Sequence, residues 1–348
     1  MSTKIGINGF GRTGRQIFRV IAERQAGNLE VVAINDLTDA ATNAHLLKYD
    51  SSYGHFPGQV TAVGDAMIVN GKRVRVLAER EPANIPWHDL GVELVIESTG
   101  KFTDVDRAGD HLRGGARRVI ISAPAKHGGL TVVMGVNESD YNPTRHRVIS
   151  NASCTTNGLA PVAKVLNDTW GIEKGLLTTV HAYTNTQRLL DQEAKDLRDA
   201  RAAALNIIPS STGAAKAVGL VIPELQGRFG GMAFRVPTPT VSVVDFTALL
   251  AADVTLRDLN AAFADAAAGP LKGILAYTDE PLVSMDLKGD PHSSIVSGLD
   301  TQVVGGNLVK IIAWYDNEYG YACRVGDLAA YIIHRDALNA HQDDEAQG

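Results

Sequence analysis

The sequence predicts an α/β fold in two parts: a parallel sheet with crossover helices, then an α+β part on a mixed or antiparallel sheet. Three observations predict it. A strand, a glycine turn and a helix follow one another at the start, short apolar runs then recur with helical stretches between them, and after about residue 150 the runs lengthen and alternate. The 348 residues suffice for about two domains of roughly 150 residues, each with its own core.

In chain order, Lys4 to Asn8 is a short apolar run, G-F-G-R-T-G follows, and Arg15 to Glu23 places Ile17, Val20 and Ile21 on one helical face. Glu30 to Asn35 is a β-branched second strand. Further strands are predicted at Leu94 to Ser98 and Arg118 to Ser122, with a charged, helix-like stretch between them. Repeated β-α units of this kind form parallel sheets. Leu176 to Ala182, Met232 to Arg235, Thr240 to Leu250 and Leu308 to Trp314 show longer, alternating patterns, which suit a mixed or antiparallel sheet. The polar, acidic segment 336–348 is expected to be disordered.

A net charge of -6, with 45% apolar and 21% charged residues, gives no basic excess to favour nucleic acid or anionic membrane. M-S-T-K-I-G-I-N-G lacks the apolar core of a signal peptide, and no run approaches the roughly 18 residues that span a bilayer, so a cytoplasmic location is expected. The two cysteines, Cys154 and Cys323, are expected to be reduced. Cys323, in Y-A-C-R-V, reads as a packed core residue. The ten histidines show no H-E-x-x-H or paired-cysteine spacing, so no metal site is predicted.

Gly9, Gly11 and Gly14 form G-x-G-x-x-G between a strand and a helix, and Asp36 closes the second strand about 20 residues further on. Glycines permit a tight turn, the exposed amides and helix dipole hold a pyrophosphate, and the carboxylate accepts from ribose hydroxyls. This is the pattern of a Rossmann-type dinucleotide site; without its context it would be only a glycine-rich turn. A 2′-phosphate beside Asp36 meets like-charge repulsion, so NAD is favoured over NADP.

N-A-S-C-T-T-N, residues 151–157, places Cys154 where hydroxyl and amide caps precede a run that reads as a helix starting near Thr155. A helix N-terminus favours a thiolate. His181 ends the apolar run L-L-T-T-V, where a strand would deliver a base to a site. Spacing alone leaves the alternatives open: a lone cysteine is more often a small buried hydrophobe, and a lone histidine a structural one.

The motifs I-N-G-F-G-R-T-G-R, A-I-N-D-L, H-L-L-K-Y-D-S-S-Y-G, S-N-A-S-C-T-T-N, T-V-H-A-Y-T-N, S-S-T-G-A-A-K-A-V-G-L, R-V-P-T-P, P-H-S-S-I-V and W-Y-D-N-E-Y-G-Y occur in order from about residue 3 to 333. Carrying them, the sequence resembles the phosphorylating, NAD-dependent glyceraldehyde-3-phosphate dehydrogenases. The resemblance implies a dinucleotide-binding domain at 1–152, completed by a helix at about 318–335, and a catalytic domain at 153–317. It implies a glycolytic or gluconeogenic enzyme, a homotetramer, with triose phosphate and inorganic phosphate as small-molecule partners. Cys154 would be the nucleophile and His181 its base. The aldehyde would form a hemithioacetal, then a thioester that phosphate cleaves. Arg12, Thr13, Asp36, Arg80, Ser122, Asn317 and Tyr321 fall at cofactor positions, Thr184 and Arg235 at the substrate-phosphate site, and Ser153, Thr155, Thr212 and Gly213 at the site of the attacking phosphate.

Departures from the family pattern are informative. Asp199 stands where the family usually has a second arginine that helps bind the attacking phosphate. A carboxylate there would repel phosphate by about 1 kcal/mol and raise its KM; alternatively, Asp199 turns to solvent and pairs with Lys195 or Arg201. Gln192 and Glu193 replace an apolar residue and proline in a loop that, by resemblance, nears a neighbouring subunit's adenosine. Thr13, Gly158, Thr186 and Tyr319 are smaller departures. Three rival readings stay in view: an erythrose-4-phosphate dehydrogenase, an NAD-binding regulatory protein with little turnover, and a secondary role with nucleic acid or another protein, which nothing in this acidic chain supports directly.

Overall fold

The computed structural model describes residues 2–347, and side chains as far as residue 341. It divides into two compact units. The first comprises Met1–Val132, Glu138–Ala152 and Ala322–Gly348; the second comprises Val133–Asn137 and Ser153–Tyr321.

The first unit is built on a nine-stranded sheet, counted among the described residues. In spatial order its strands are Leu130–Thr131, Val148–Ser150, Arg118–Ile121, Leu94–Glu97, Thr3–Asn8, Leu29–Asn35, Lys72–Leu77, Ala66–Val69 and Val60–Val63. The first seven pair in parallel, and the last two add an antiparallel meander that the sequence reading did not foresee. Ile5 and Ile7 on the central strand are fully buried, and the helix Arg12–Arg24 buries Ile17, Val20 and Ile21 as its periodicity predicts. The charged stretch after Leu94–Glu97 forms only short helical turns at Val105–Gly109 and Asp110–Leu112.

Residues 336–347, expected to be disordered, fall within the last helix. One helix runs Tyr319–Gln347. The reason lies in Asp336, whose carboxylate accepts from the Tyr141 hydroxyl at 2.7 Å and from Arg118 at 2.8 Å, so the sheet holds the helix beyond the point where its composition turns polar. Earlier in the same helix, Val325, Leu328, Ala329 and Ile332 are fully buried, and Asp327 accepts from Gln25. The last residue of the predicted tail lies outside the described residues.

The second unit carries an eight-stranded mixed sheet among the described residues, ordered Ile208–Ser211, Phe229–Val236, Ile172–Ala182, Ser242–Leu250, Leu308–Tyr315, Ser294–Ser297 and Leu275–Thr278, with Gln302–Val304 beside Leu308–Tyr315. Ile172–Ala182 pairs in parallel with Phe229–Val236 and antiparallel with Ser242–Leu250. That register sets His181 directly beside Arg235. The helix Cys154–Trp170 packs on the same sheet and buries Leu159, Val162 and Leu166. No helix among the described residues is long and apolar enough to cross a membrane.

Candidate active site

In the first unit the predicted cofactor residues gather at the carboxyl ends of the parallel strands, where strand order reverses beside Thr3–Asn8. Gly9 has φ +89°, and a Cβ there would lie 2.6 Å from the Thr99 nitrogen. A Cβ on Gly14 would overlap the Gly9 carbonyl oxygen. Gly11, by contrast, faces open space and begins the helix Arg12–Arg24 with no side-chain cap, so the first amides of that helix suit an anion. The Asp36 carboxylate accepts from the amides of Phe10 at 2.8 Å and Thr38 at 3.0 Å, which holds it against the glycine loop. This cradle fits a dinucleotide.

The other predicted cofactor positions vary. Arg12 is ion-paired with Asp50 at 2.9 Å, and Thr13 is half-buried in the first turn of the helix. Arg80 is exposed just beyond Glu79, whose amide donates to Asn35. The Ser122 hydroxyl lies 3.0 Å from the Glu97 carbonyl and 2.9 Å from the Ser98 hydroxyl, on the neighbouring strand end. Sequence reasoning missed the buried scaffold beneath: Asn35 donates to Asn8, Asn8 to Glu97, His111 Nε2 lies 3.1 Å from Glu97, and Trp87 donates to His111.

In the second unit Cys154 and His181, 27 residues apart in sequence, meet with Sγ 3.5 Å from Nε2. Ser153 caps the helix Cys154–Trp170, its hydroxyl accepting from the Thr156 amide at 3.0 Å, so Cys154 is the first helical residue, one earlier than predicted. Ala152, just before the cap, has φ +56°, a conformation costing an alanine about 1 kcal/mol or more. His181 Nδ1 lies 2.7 Å from the Ala182 carbonyl. The Ala182 carbonyl only accepts and the Arg235 guanidinium, which also meets Nδ1, only donates, so the two contacts ask for opposite tautomers; with the proton on Nδ1, given to the carbonyl, Nε2 is bare toward the thiol. Arg235 also donates to that carbonyl, at 3.1 Å, and its guanidinium touches the imidazole; its Nε is buried with no hydrogen-bond partner among the described residues.

Burial pushes the His181 imidazole down to about 3, aided by the Arg235 charge. Burial also pushes the Cys154 thiol up, against the pull of Arg235. Neither group is therefore readily charged alone. Passing the proton from Sγ to Nε2 charges both at once, each as the other's counter-ion, with the helix N-terminus favouring the thiolate.

The surrounding shell was mostly hidden from sequence reasoning. Tyr315 packs edge-on against His181, with ring centroids 5.9 Å apart, and its hydroxyl bonds Thr155 at 2.8 Å and Thr179 at 2.9 Å. Ser242 accepts from the Ala182 amide at 3.0 Å and donates to Asn317 at 2.8 Å, tying the histidine strand to a predicted cofactor residue. Val241, just before it, has φ +65°, a strained value for a β-branched residue. Tyr321 is buried in the first turn of the last helix, with its amide 3.3 Å from the Asp316 carbonyl. Gly158 lies against Tyr315, where an added Cβ would come within 3.2 Å of the ring.

Of the predicted phosphate-binding residues, Ser153 and Thr155 have their hydroxyls engaged by Thr156 and Tyr315. Thr212 accepts from the Ala214 amide, and Gly213 opens the helix Ala214–Val221 toward open space. Thr184 donates its amide and hydroxyl to Gln187 Oε1 at 3.0 and 3.3 Å. Among the described residues neither Lys195 nor Arg201 forms an ion pair with Asp199: Arg201 binds Asp191, and the Asp199 carboxylate accepts from Gln187 Nε2 at 2.8 Å, while nearby Arg198 binds Asp196. Among the described residues no group of three or more His, Cys, Asp or Glu is placed to hold a metal ion.

Residues 3–105 match the family model described as glyceraldehyde 3-phosphate dehydrogenase, NAD binding domain, and residues 153–317 match its C-terminal domain. The glyceraldehyde-3-phosphate dehydrogenase of Geobacillus stearothermophilus is 58% identical over 332 residues, covering 95% of this chain and 98% of that protein. Glyceraldehyde-3-phosphate dehydrogenase 1 of Bacillus subtilis (strain 168) gives the same identity and coverage. The protein of that name in Streptomyces arenae is 56% identical, covering 95% of this chain and 99% of its own length.

Proposed function

The chain belongs to the glyceraldehyde-3-phosphate dehydrogenase family, and from that premise we propose that it oxidises D-glyceraldehyde 3-phosphate with NAD and inorganic phosphate to 1,3-bisphosphoglycerate. The observation that carries this reading is the approach of Cys154 Sγ to His181 Nε2, with the Arg235 guanidinium alongside.

Cys154 Sγ attacks the aldehyde carbon while its proton passes to His181 Nε2 and on to the new oxygen, giving a hemithioacetal. NAD, held by the glycine loop and Asp36, supplies the hydride acceptor when bound. As the carbon is oxidised, His181 takes the hydroxyl proton and a Cys154 thioester remains. A phosphate oxygen then attacks that carbonyl, the carbon–sulfur bond breaks, and the departing sulfur recovers its proton from the imidazolium. Thr184 and Arg235 hold the substrate's own phosphate, a role suited to a hydroxyl and a planar charged fork. Ser153, Thr155, Thr212 and Gly213 receive the attacking phosphate, supported by two helix N-termini. By the family resemblance, Asn317, which accepts from Ser242, and Tyr321 would be the residues that hold the nicotinamide end of the cofactor.

The location proposed is the cytoplasm and the assembly a homotetramer; self-association accords with the exposure of Leu189, Leu190, Leu197, Leu205 and Ile207 along one segment, a concentration of apolar surface suited to burial against other copies. The deciding assay follows NADH formation from glyceraldehyde 3-phosphate with and without inorganic phosphate, repeated with NADP and with erythrose 4-phosphate. Equal steady-state rates without phosphate defeat the phosphorylating assignment.

A further inference from the structure

We propose that Asp199 lowers this chain's affinity for the phosphate end of its substrate by clamping Gln187 across the two donors of Thr184. The inference deepens the proposed function, since it rests on Thr184 meeting that phosphate. Residues 184–187 form a turn, with the Gln187 amide donating to the Thr184 carbonyl at 3.1 Å. The Gln187 side chain is buried and folds back so that Oε1 takes both the amide and the hydroxyl of Thr184. Its Nε2 is in turn held by Asp199.

The clamp has little slack. The Arg188 amide donates to the Asp199 carbonyl at 3.2 Å, the Ala203 amide to the Arg188 carbonyl at 2.8 Å and the Gln192 amide to the Ala200 carbonyl at 2.9 Å, lacing the two segments together. Each donor carries one proton and bonds well to one acceptor, so a phosphate oxygen approaching Thr184 must displace Gln187 Oε1. Its bonds are charge-assisted and stronger, so displacement succeeds, but binding is weakened by whatever held Gln187 in place. A carboxylate on Nε2 strengthens that hold, because hydrogen bonds to charged groups exceed neutral ones and polarise the amide they bind. The same negative charge also opposes an arriving dianion. An arginine at this position cannot accept from Gln187.

The test compares the unaltered chain with Asp199→Ala and Asp199→Asn, measuring kcat and KM for glyceraldehyde 3-phosphate and for glyceraldehyde, which has no phosphate. Removing the clamp is expected to lower KM for the phosphorylated aldehyde roughly five-fold, with kcat moving less and the ratio of the two KM values falling. Asparagine retains an acceptor without the charge, so its change is expected to be smaller and in the same direction; it also serves as the readout if the alanine variant does not fold. A KM for glyceraldehyde 3-phosphate that stays fixed or rises in both variants overturns the inference, because Gln187 then supports Thr184. Absence of any NAD reduction by the unaltered chain overturns the proposed function and this inference with it.

Discussion

Replacing His181 with asparagine removes the imidazole nitrogen 3.5 Å from the Cys154 sulfur while leaving a side chain able to donate to Ala182. Two unit charges at that separation attract by about 5 kcal/mol at an effective dielectric of about 20. Retaining even a third of this attraction favours the thiolate about ten-fold, and loss of a general base costs a further 10²–10⁴-fold in the chemical step, roughly 3–5 kcal/mol. The assay pairs single-turnover NADH formation with the rate of iodoacetamide alkylation across pH. The variant should lose at least about ten-fold in alkylation at pH 7 and should need a higher pH to react. Overlaying alkylation profiles would refute the coupled proton transfer. The same variant probes acid stability. An unfolded imidazole titrates near 6.5 but buried His181 only near 3, so its neutral form stabilises fully above 6.5 and loses that contribution as pH falls toward 3. Asparagine should remove that part of the acid sensitivity in a denaturant titration.

Gly14→Ala drives a Cβ into the Gly9 carbonyl and should abolish NAD binding, measured by fluorescence titration, with a stability loss of about 1–3 kcal/mol. Retained NAD affinity would mean the loop tolerates a wider turn. Tyr315→Phe deletes the hydroxyl shared by Thr155 and Thr179 and should cost about 1–3 kcal/mol in urea unfolding; an unchanged midpoint would show both threonines finding other partners. Asp199→Arg should lower KM for inorganic phosphate about five-fold at saturating aldehyde, and an unchanged value would remove Asp199 from the phosphate site.

What the sequence disclosed and what it concealed divide by the range of the interactions. The glycine loop and its flanking strand, helix and acid are local, and Gly9, Gly14 and Asp36 take the places their spacing implies. Cys154 and His181 each sit at a legible element boundary, but their meeting depends on sheet topology that no spacing reveals. Tyr315 lies 136 residues from Thr179, and Ser242 joins Ala182 to Asn317 across the register of separate strands, so nothing near them in sequence marks them. The left-handed backbone at Ala152 and Val241 is carried by residues that do not advertise it. Asp199 stood out as a departure from its family, yet its partner is a neutral amide, which charge counting overlooks.

The first unit takes its final segment from Ala322 onward, after the whole second unit has been made. On the ribosome the cofactor-binding sheet is thus the first to emerge and the last to be closed. Until Val325, Leu328, Ala329 and Ile332 arrive, the apolar surface that receives them stays open to water and to other nascent chains. The order of synthesis and the order of completion therefore run in opposite directions. A stop codon in the last tenth of the message would damage the half of the protein that was translated first.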